Sequence, residues 1–215
     1  MSWITRYCSS SIGRKQIMAK TGLMLCGFLI VHLAGNMLLY VGPEAFNAYA
    51  EKLTSNKFLL IPAEIVLFSI FAAHIFLAIK LTIENRSARG GVRYDVNAQA
   101  GEMSFATKTM PITGMSILIF LVIHLVNFKF ADHNVEFGLY GVIQTHFHNI
   151  FWVVYYIISM GLLAFHVGHG LQSAFKTYGL SHPNYNDIIK NLSIGYAAII
   201  FIGYSSIPVY FFFKG

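Results

Sequence analysis

Long apolar stretches alternate with shorter polar stretches along this chain. A helix needs roughly 20 mostly apolar residues to cross a bilayer core of about 30 Å, and five stretches meet that requirement. They cover residues 21–42, 58–79, 110–128, 150–175 and 192–213. The pattern predicts an all-α integral membrane protein, in which residues 1–215 form one membrane domain, a bundle of five transmembrane helices.

The connection after the first span has a helical pattern of its own. It begins with Gly42-Pro43, which ends the span, and continues as EAFNAYAEKLTSN. Phe46, Tyr49 and Leu53 recur there at helical spacing. We therefore expect a short amphipathic helix lying at the membrane interface.

The remaining connections are polar and carry little apolar periodicity. Segment 80–109 is rich in glycine and arginine and long enough to reach a neighbouring subunit, and loops of this length are usually functional or disordered. Segment 129–149 is predicted to be a loop that carries His133, His146 and His148. The last connection, KTYGLSHPNYNDIIKN, leads to a fifth span without histidine.

Composition supports the membrane assignment, and charge orients the bundle. Of the residues, 56% are hydrophobic and 11% charged, against about a quarter charged in soluble domains. The formal net charge is +6, but the cations follow a five-span topology and do not indicate a nucleic-acid partner. One side holds Arg6, Arg14, Lys15, Lys20, Lys80, Arg86, Arg89, Arg93, Lys108, Lys176 and Lys190. The other side holds Lys52, Lys57, Lys129 and Lys214. The positive-inside rule then predicts a cytoplasmic N-terminus and an outside C-terminus.

Neither the cysteines nor the N-terminal segment changes this picture. Cys8 and Cys26 lie far apart, and Cys26 falls inside a span, so a disulfide framework is not expected. Residues 1–20 lack the short apolar core and small-residue cleavage site of a signal peptide. We therefore expect the first span to stay in the protein.

Each of the first four spans carries an interior histidine. These are His32, His74, His124 and His166. The first two are 42 residues apart, and so are the last two. A single imidazole in a span usually hydrogen-bonds to another helix, because an unpartnered polar group is costly in hydrocarbon. Four at matched depths favour metal ligation.

Helix rise sorts the histidines into two depths. At about 1.5 Å per residue, His74 and His166 lie roughly 24 Å from the outer ends of their spans. His32 and His124 lie roughly 16 to 21 Å from the inner ends. Paired imidazoles suit six-coordinate haem iron, whose other four positions the porphyrin fills, so two pairs predict two b haems. His169 lies one turn beyond His166 and is the alternative ligand; we prefer His166 because it matches the depth of His74.

Several longer motifs surround these histidines. They are HLAGN, GPEAFNAYAEKL, HLVNF and HVGHGLQSAFKTYGLSHPNYN. With them the chain resembles, over nearly its whole length, the cytochrome b membrane-anchor subunit of succinate dehydrogenases and fumarate reductases. The similar form is the single-chain, five-helix, dihaem one, the b558 family. The resemblance implies that His74 and His166 hold a haem proximal to the cytoplasmic face, and that His32 and His124 hold the distal haem.

The resemblance also implies partners and a location. It implies a flavoprotein subunit with FAD and an iron–sulfur subunit on the cytoplasmic face of a bacterial inner membrane, and a complex that can form higher oligomers. It implies electron transfer with a quinone, menaquinone being favoured for dihaem members. The chain itself has no nucleotide-binding glycine motif and no cysteine cluster. Succinate or fumarate chemistry is therefore expected on the partner subunits.

Polar residues inside the spans are candidates for a quinone pocket. Glu64 lies well inside the second span, and an intramembrane acid is a functional hypothesis by default. Asn36 and Asn127 follow His32 and His124 by four and three residues, so they share the faces of the predicted ligands. The three side chains are predicted to handle quinone and its protons above the distal haem. In the alternative interpretation, the asparagines hydrogen-bond imidazoles or backbone and Glu64 is interfacial.

Polar residues at the inner ends of the spans are candidates for the inner haem's propionates. Lys20, Ser173 and Lys176 stand at suitable heights. Propionates need cations or hydroxyls as partners. The same lysines would also extend to the interface without any haem.

Two other functions stay open at this point. One is a dihaem anchor for a different quinone-linked dehydrogenase. The other is a haem-free transporter whose histidines carry protons or metal, and such a protein would be colourless when purified.

Overall fold

A computed structural model of the chain describes residues 2–88 and 105–214, with the side chains of residues 88 and 105–108 excepted. The secondary structure of these residues is helical throughout. The α-helices are α1 (Trp3–Ser9), α2 (Ser11–Asn36), α3 (Pro43–Ser55), α4 (Lys57–Ala88), α5 (Phe105–His124), α6 (Gly138–Phe147), α7 (Ile150–Thr177) and α8 (Pro183–Lys214). A 3₁₀ turn, Met37–Tyr40, continues α2, and a π-helix, Leu125–Lys129, continues α5.

Five helices in the described residues are long and apolar enough to cross a membrane, which confirms the predicted number of spans. These are α2 with its 3₁₀ turn, α4, α5 with its π-helix, α7 and α8. Most run past the predicted bounds, because their polar ends stay helical beyond the apolar stretch; α8, for example, begins at Pro183 and not at residue 192. Which end of the bundle faces the cytoplasm stays a prediction.

Four of the long helices form the part of the bundle that carries the histidines. α2 packs on α4 and α7, and α5 packs on α7. α8 packs mainly on α7 and also touches α2. Two α8 tyrosines fix it to α2, since Tyr196 donates a hydrogen bond to the Cys26 carbonyl at 2.8 Å and Tyr204 to the Leu29 carbonyl at 2.7 Å. The fifth span therefore supports the other four from one side.

The short helices α3 and α6 cover one end of the bundle, which we call the α3/α6 end. Gly42, with φ of 136°, makes the turn into α3, a backbone conformation that strongly favours glycine. The predicted amphipathic helix is confirmed as α3, whose Phe46 is buried while Leu53 is exposed. The apolar core at this end is made of Leu39, Phe46, Tyr140, Ile143, Phe147, Val153, Tyr156, Ile207 and Phe211.

The prediction of a plain loop over residues 129–149 is wrong for its second half, which forms α6. Phe137, in the left-handed conformation with φ of 61°, starts the helix. The Asn47 side chain of α3 supports that start by donating to the Phe137 carbonyl at 2.6 Å and accepting from the Tyr140 N–H at 3.1 Å. The helix depends on this contact and on burial against the bundle, which no local pattern shows.

The opposite end of the bundle, the α1 end, begins with a helix that was not predicted. α1 meets α2 so closely that a Cβ on Gly13 would lie 2.0 Å from the Tyr7 carbonyl oxygen. Arg14 forms an ion pair with Glu84 of α4 at 3.0 Å. Part of the predicted loop 80–109 is helical at this end, since α4 runs to Ala88 and α5 begins at Phe105; residues 89–104 lie outside the described residues.

Candidate functional site

The structure brings His32 of α2 and His124 of α5 side by side in the half of the bundle nearer the α3/α6 end. Their ring centroids are 6.1 Å apart, and their planes are nearly perpendicular, at 88°. Each ring also contacts a phenylalanine one turn earlier on its own helix: Phe28 is stacked on His32 at 5.3 Å, and Phe120 is tilted against His124 at 5.5 Å. The two imidazoles are therefore neighbours within an aromatic surround.

The other two histidines lie nearer the α1 end, and each is held by a neighbouring helix. His74 of α4 packs on α2, where its Nδ1 atom is 3.2 Å from the hydroxyl of Thr21. His166 of α7 packs on α5, where its Nδ1 atom is 3.1 Å from the hydroxyl of Thr113. His74 and His166 thus occupy equivalent positions, each against the spanning helix that precedes its own in the bundle. Along α2, Thr21 precedes His32 by 11 residues, so the two levels lie roughly 16 Å apart.

An internal repeat underlies this arrangement. Residues 18–33 read MAKTGLMLCGFLIVHL and residues 110–125 read MPITGMSILIFLVIHL, with an offset of 92 positions. The same offset relates His74 to His166. The motifs HLAGN and HLVNF, noted from the sequence, cover only the ends of these segments. They leave out the Thr-Gly pair, whose threonine lies within hydrogen-bond distance of a histidine of the second pair.

The repeat also distinguishes His166 from its neighbour His169. His166, and not His169, stands at the position equivalent to His74. His166 contacts α5 at both residues of the Thr-Gly pair, since a Cβ on Gly114 would lie 3.4 Å from its Cε1 atom. His169 interacts electrostatically with His166 and with Lys176.

One nitrogen of the first pair lacks a hydrogen-bond partner. The Nδ1 atom of His124 is buried, and no atom of the described residues hydrogen-bonds to it. Buried polar nitrogens are normally paired. The described residues contain no group of three or more histidine, cysteine or acidic side chains of the kind that holds a bare metal ion. The interior histidines of the bundle instead lie in two pairs.

A polar cluster lies beyond His124, toward the α3/α6 end. Asn127, in the π-helix, donates to Tyr156 at 3.3 Å and lies 3.2 Å from the Nε2 atom of His146 on α6. π-helical turns are often found at functional sites. Burial, partly against Trp152 at 4.5 Å between ring centroids, lowers the pKa of His146 to about 4. His146 is therefore neutral near pH 7. The sequence singled out Asn127 and His146 but did not place them together.

The other two residues predicted for the quinone pocket, Asn36 and Glu64, lie apart from this cluster. Asn36 donates to the carbonyl oxygen of His32 at 2.7 Å, which agrees with the alternative interpretation of that residue. Glu64 of α4 forms an ion pair with Lys129 at the end of the π-helix, and both side chains are nearly half exposed. No hydrogen bond joins Glu64, Asn36 and Asn127 to one another in the described part of the chain. The ion pair nevertheless brings Glu64 to within two residues of Asn127 along the π-helix.

The three candidate propionate contacts all lie on exposed positions toward the α1 end. Lys20 is on α2, and Ser173 and Lys176 are on the last turns of α7. The backbone carbonyl of Ser173 accepts a hydrogen bond from Thr177. Lys176 interacts with His169, which places one cation near the second histidine pair.

The arrangement as a whole gives two levels at which imidazoles from different helices face the interior of one bundle. Neutral imidazole is the commonest metal ligand among side chains. Comparison of the chain with protein-family models, with curated proteins and with solved structures found no match.

Proposed function

We propose that this chain is a dihaem cytochrome b that anchors a succinate:quinone oxidoreductase or a quinol:fumarate reductase in the membrane. The observation that carries the proposal is the placement of His32 and His124 with ring centroids 6.1 Å apart. A second pair of interior histidines, His74 and His166, held by equivalent threonine contacts at another depth of the same bundle, supports two haems and not one.

The geometry of the first pair fits a bis-imidazole iron site. His32 and His124 come from two different helices, and their ring centroids are close enough for both imidazoles to hold one metal ion. The buried, unpaired Nδ1 atom of His124 among the described residues shows that this ring still has bonding capacity.

The four histidines would hold the haem iron, one pair for each haem. When bound, two b haems supply one-electron transfer across the bilayer, between an iron–sulfur partner and quinone. The polypeptide's own part is to hold the rings and to exclude water. Phe28 and Phe120 do so beside the first pair, where Tyr204 lies 6.0 Å from the His32 ring.

The partner subunits are proposed to bind at the α1 end. By the positive-inside prediction this end is cytoplasmic, and it carries the chain's larger share of cations. A flavoprotein with FAD and an iron–sulfur subunit would supply the dicarboxylate chemistry that this chain's sequence lacks. The resemblance to the b558 family supports these partners and favours menaquinone as the quinone.

The quinone is proposed to bind at the α3/α6 end, beside the first histidine pair. Asn127, His146 and Tyr156 form the polar cluster there, and Glu64 reaches the same π-helix through Lys129. Quinol oxidation releases two protons as well as two electrons, and Glu64 is the carboxylate placed to receive one. Asn36 stays with the backbone of the ligand helix. Lys20, Ser173 and Lys176 remain proposed contacts for the propionates of the other haem.

The experiment that tests the proposal is a reduced-minus-oxidised absorption spectrum of the purified protein, with haem measured per chain. We expect two low-spin b haems per chain. One haem per chain would show that one of the two pairs is wrong. A colourless protein would overturn the proposal and favour the alternative, a transporter whose histidines carry protons or metal.

A further inference from the structure

We propose that Thr21 and Thr113 are positioning residues for His74 and His166. Each threonine fixes the ring orientation and the tautomer of its histidine, so that the Nε2 atom is the one left for a ligand. The inference deepens the proposed function and rests on it, because it states how one of the two haem levels is prepared before haem binds.

The hydrogen bonds of the Thr21 hydroxyl show how this works on α2. The hydroxyl lies 3.0 Å from the Ile17 carbonyl and 2.9 Å from the Met18 carbonyl. A hydroxyl has one proton and carbonyl oxygens only accept, so we infer that this proton goes to one of the two carbonyls. What the oxygen has left for His74, at 3.2 Å from Nδ1, is a lone pair. The contact is satisfied when Nδ1 carries a proton and donates it.

The tautomer of His74 decides which ring nitrogen is left for a ligand. In a neutral imidazole with its proton on Nδ1, the Nε2 atom has the free lone pair. This is the form in which metal-bound histidines are normally held, by a hydrogen bond from the other nitrogen.

The second copy of the arrangement lies on α5. The Thr113 hydroxyl is 3.2 Å from the Thr109 carbonyl, 3.1 Å from the Met110 carbonyl and 3.1 Å from Nδ1 of His166. Both threonines are buried, with 8% of Thr21 and 5% of Thr113 exposed. Equivalent threonines on two helices, 92 positions apart in sequence, thus place their hydroxyls in the same geometry. The accounting of donors and acceptors is the same in both, so both rings present Nε2.

The glycine after each threonine lets the ring come close. A Cβ on Gly22 would lie 3.3 Å from Cε1 of His74, and a Cβ on Gly114 would lie 3.4 Å from Cε1 of His166. The first distance is slightly tighter than ordinary van der Waals contact and the second is at its lower limit, so a Cβ at Gly22 would require the His74 ring to shift by a few tenths of an ångström. The threonine and the glycine act together: the threonine accepts the hydrogen bond, and the glycine leaves space for the ring.

The first histidine pair differs at this point. His124 has no hydrogen-bond partner for Nδ1 in the described part of the chain. A hydrogen bond from Nδ1 makes an imidazole a more basic ligand, which stabilises the oxidised metal. Removing the threonine hydroxyls should therefore raise the midpoint potential of the haem at the level of His74 and His166. The potential at the level of His32 and His124 should stay unchanged.

The test uses T21V and T113V in the full chain, because valine keeps the shape of threonine and removes the hydroxyl. T21S and T113S are the conservative variants that keep it. S116A is the matched control: Ser116 also donates to a carbonyl one turn back, that of Ile112 at 3.0 Å, but this hydrogen bond is exposed and the residue is only partly buried. The measurements are haem per chain, the low-spin EPR spectrum and a redox titration of each haem.

The expected result is specific to one level. Each valine variant should shift the potential and EPR signal of one haem and weaken its retention about 10- to 100-fold, the usual cost of losing such an outer partner. The serine variants should behave like the wild-type protein. S116A should match the wild-type protein in all three measurements. Because the two threonines act separately, T113V still tests the inference if T21V does not accumulate in the membrane.

Two kinds of failure can be told apart. Wild-type protein without haem overturns the proposed function itself. Wild-type protein with two haems, together with valine variants whose potentials, EPR signals and haem retention match S116A, overturns only the role of the threonines.

Discussion

An imidazole in an apolar bundle needs a partner at each ring nitrogen, and the individual histidines of this chain meet that need in different ways. The Nδ1 atoms of His74 and His166 lie within hydrogen-bond distance of threonine hydroxyls. His146 lies against Asn127 in a neutral form. His124 has a buried Nδ1 with no partner among the described residues. The histidines therefore have distinct hydrogen-bond environments, although the sequence presents them as equivalent residues in apolar surroundings.

His166 and His169 provide the sharpest test at this scale. We expect His166→Ala to lose one haem per chain, because it removes the ring that matches His74 in the repeat. His169→Ala should keep two, since its ring lies outside the Thr113 contact. The measurement is haem per purified chain. If His166→Ala kept two haems and His169→Ala kept only one, then His169, and not His166, would be the haem ligand.

Glu64 tests the quinone site. We expect Glu64→Gln to lower quinone turnover about 100-fold or more, the usual contribution of a positioned acid or base, with both haems in place. Lys129→Gln is the control, because it breaks the same ion pair and keeps the carboxylate. Turnover is measured with a soluble quinone analogue in the assembled complex. Equal rates in Glu64→Gln and wild type would remove Glu64 from the proposal, and equal losses in both variants would reduce its role to the ion pair.

At the scale of elements, the ends of the helices place the candidate functional groups. The π-helix Leu125–Lys129 follows His124 directly and carries both Asn127 and Lys129. A π-helical turn changes the direction of the side chains that follow it relative to a regular α-helix. Asn127 therefore lies toward His146 and Tyr156, and Lys129 reaches Glu64 on α4. This one turn connects α5 to α4, α6 and α7.

Asn47 holds the two short helices together at the α3/α6 end. We expect Asn47→Ala to lower the free energy of unfolding by about 1–2 kcal/mol, because two hydrogen bonds worth roughly 1 kcal/mol each are lost. Thermal unfolding of the purified protein, followed by circular dichroism, measures the change. Asn134→Ala, an exposed asparagine before α6, is the control. Equal melting of the two variants would show that Asn47 does not stabilise the start of α6.

At the scale of the whole molecule, the protein consists of two similar halves and a supporting helix. The repeat at an offset of 92 positions relates α2 with α4 to α5 with α7, and in each half a histidine of the second helix lies against the first helix. α8 has no counterpart in this repeat. It packs along α7 and binds α2 through Tyr196 and Tyr204. One histidine pair thus spans α2 and α5, and the other spans α4 and α7.

The orientation of the bundle is a prediction at this scale. Cys8 is exposed at the α1 end, and Asn134 is exposed before α6 at the other end. A membrane-impermeant maleimide should label Cys8 in inside-out vesicles only, because the positive-inside rule places α1 in the cytoplasm. In a Cys8→Ser background, Asn134→Cys should be labelled only from the outside. The reverse pattern would invert the bundle and move the proposed partner face to the α3/α6 end.

The sequence alone determined the number of spans and the amphipathic helix α3. Both follow from local physical requirements: a helix in lipid must be apolar over the thickness of the bilayer, and an interfacial helix must repeat its apolar residues every three or four positions. The sequence also showed which helices carry histidine. It missed α1 and α6, whose short segments have weak local patterns and are held by contacts with other helices.

Only the tertiary structure decided what surrounds each functional side chain. Thr21 meets His74 across 53 residues, Asn47 meets Phe137 across 90, and Asn127 meets His146 through a π-helix and a loop. Such contacts depend on how the helices pack and on where each side chain points at the packed surface. Hydropathy shows that a residue lies in the bilayer. The partner of a buried polar group depends instead on which atoms of a neighbouring helix come within hydrogen-bond distance, about 3 Å.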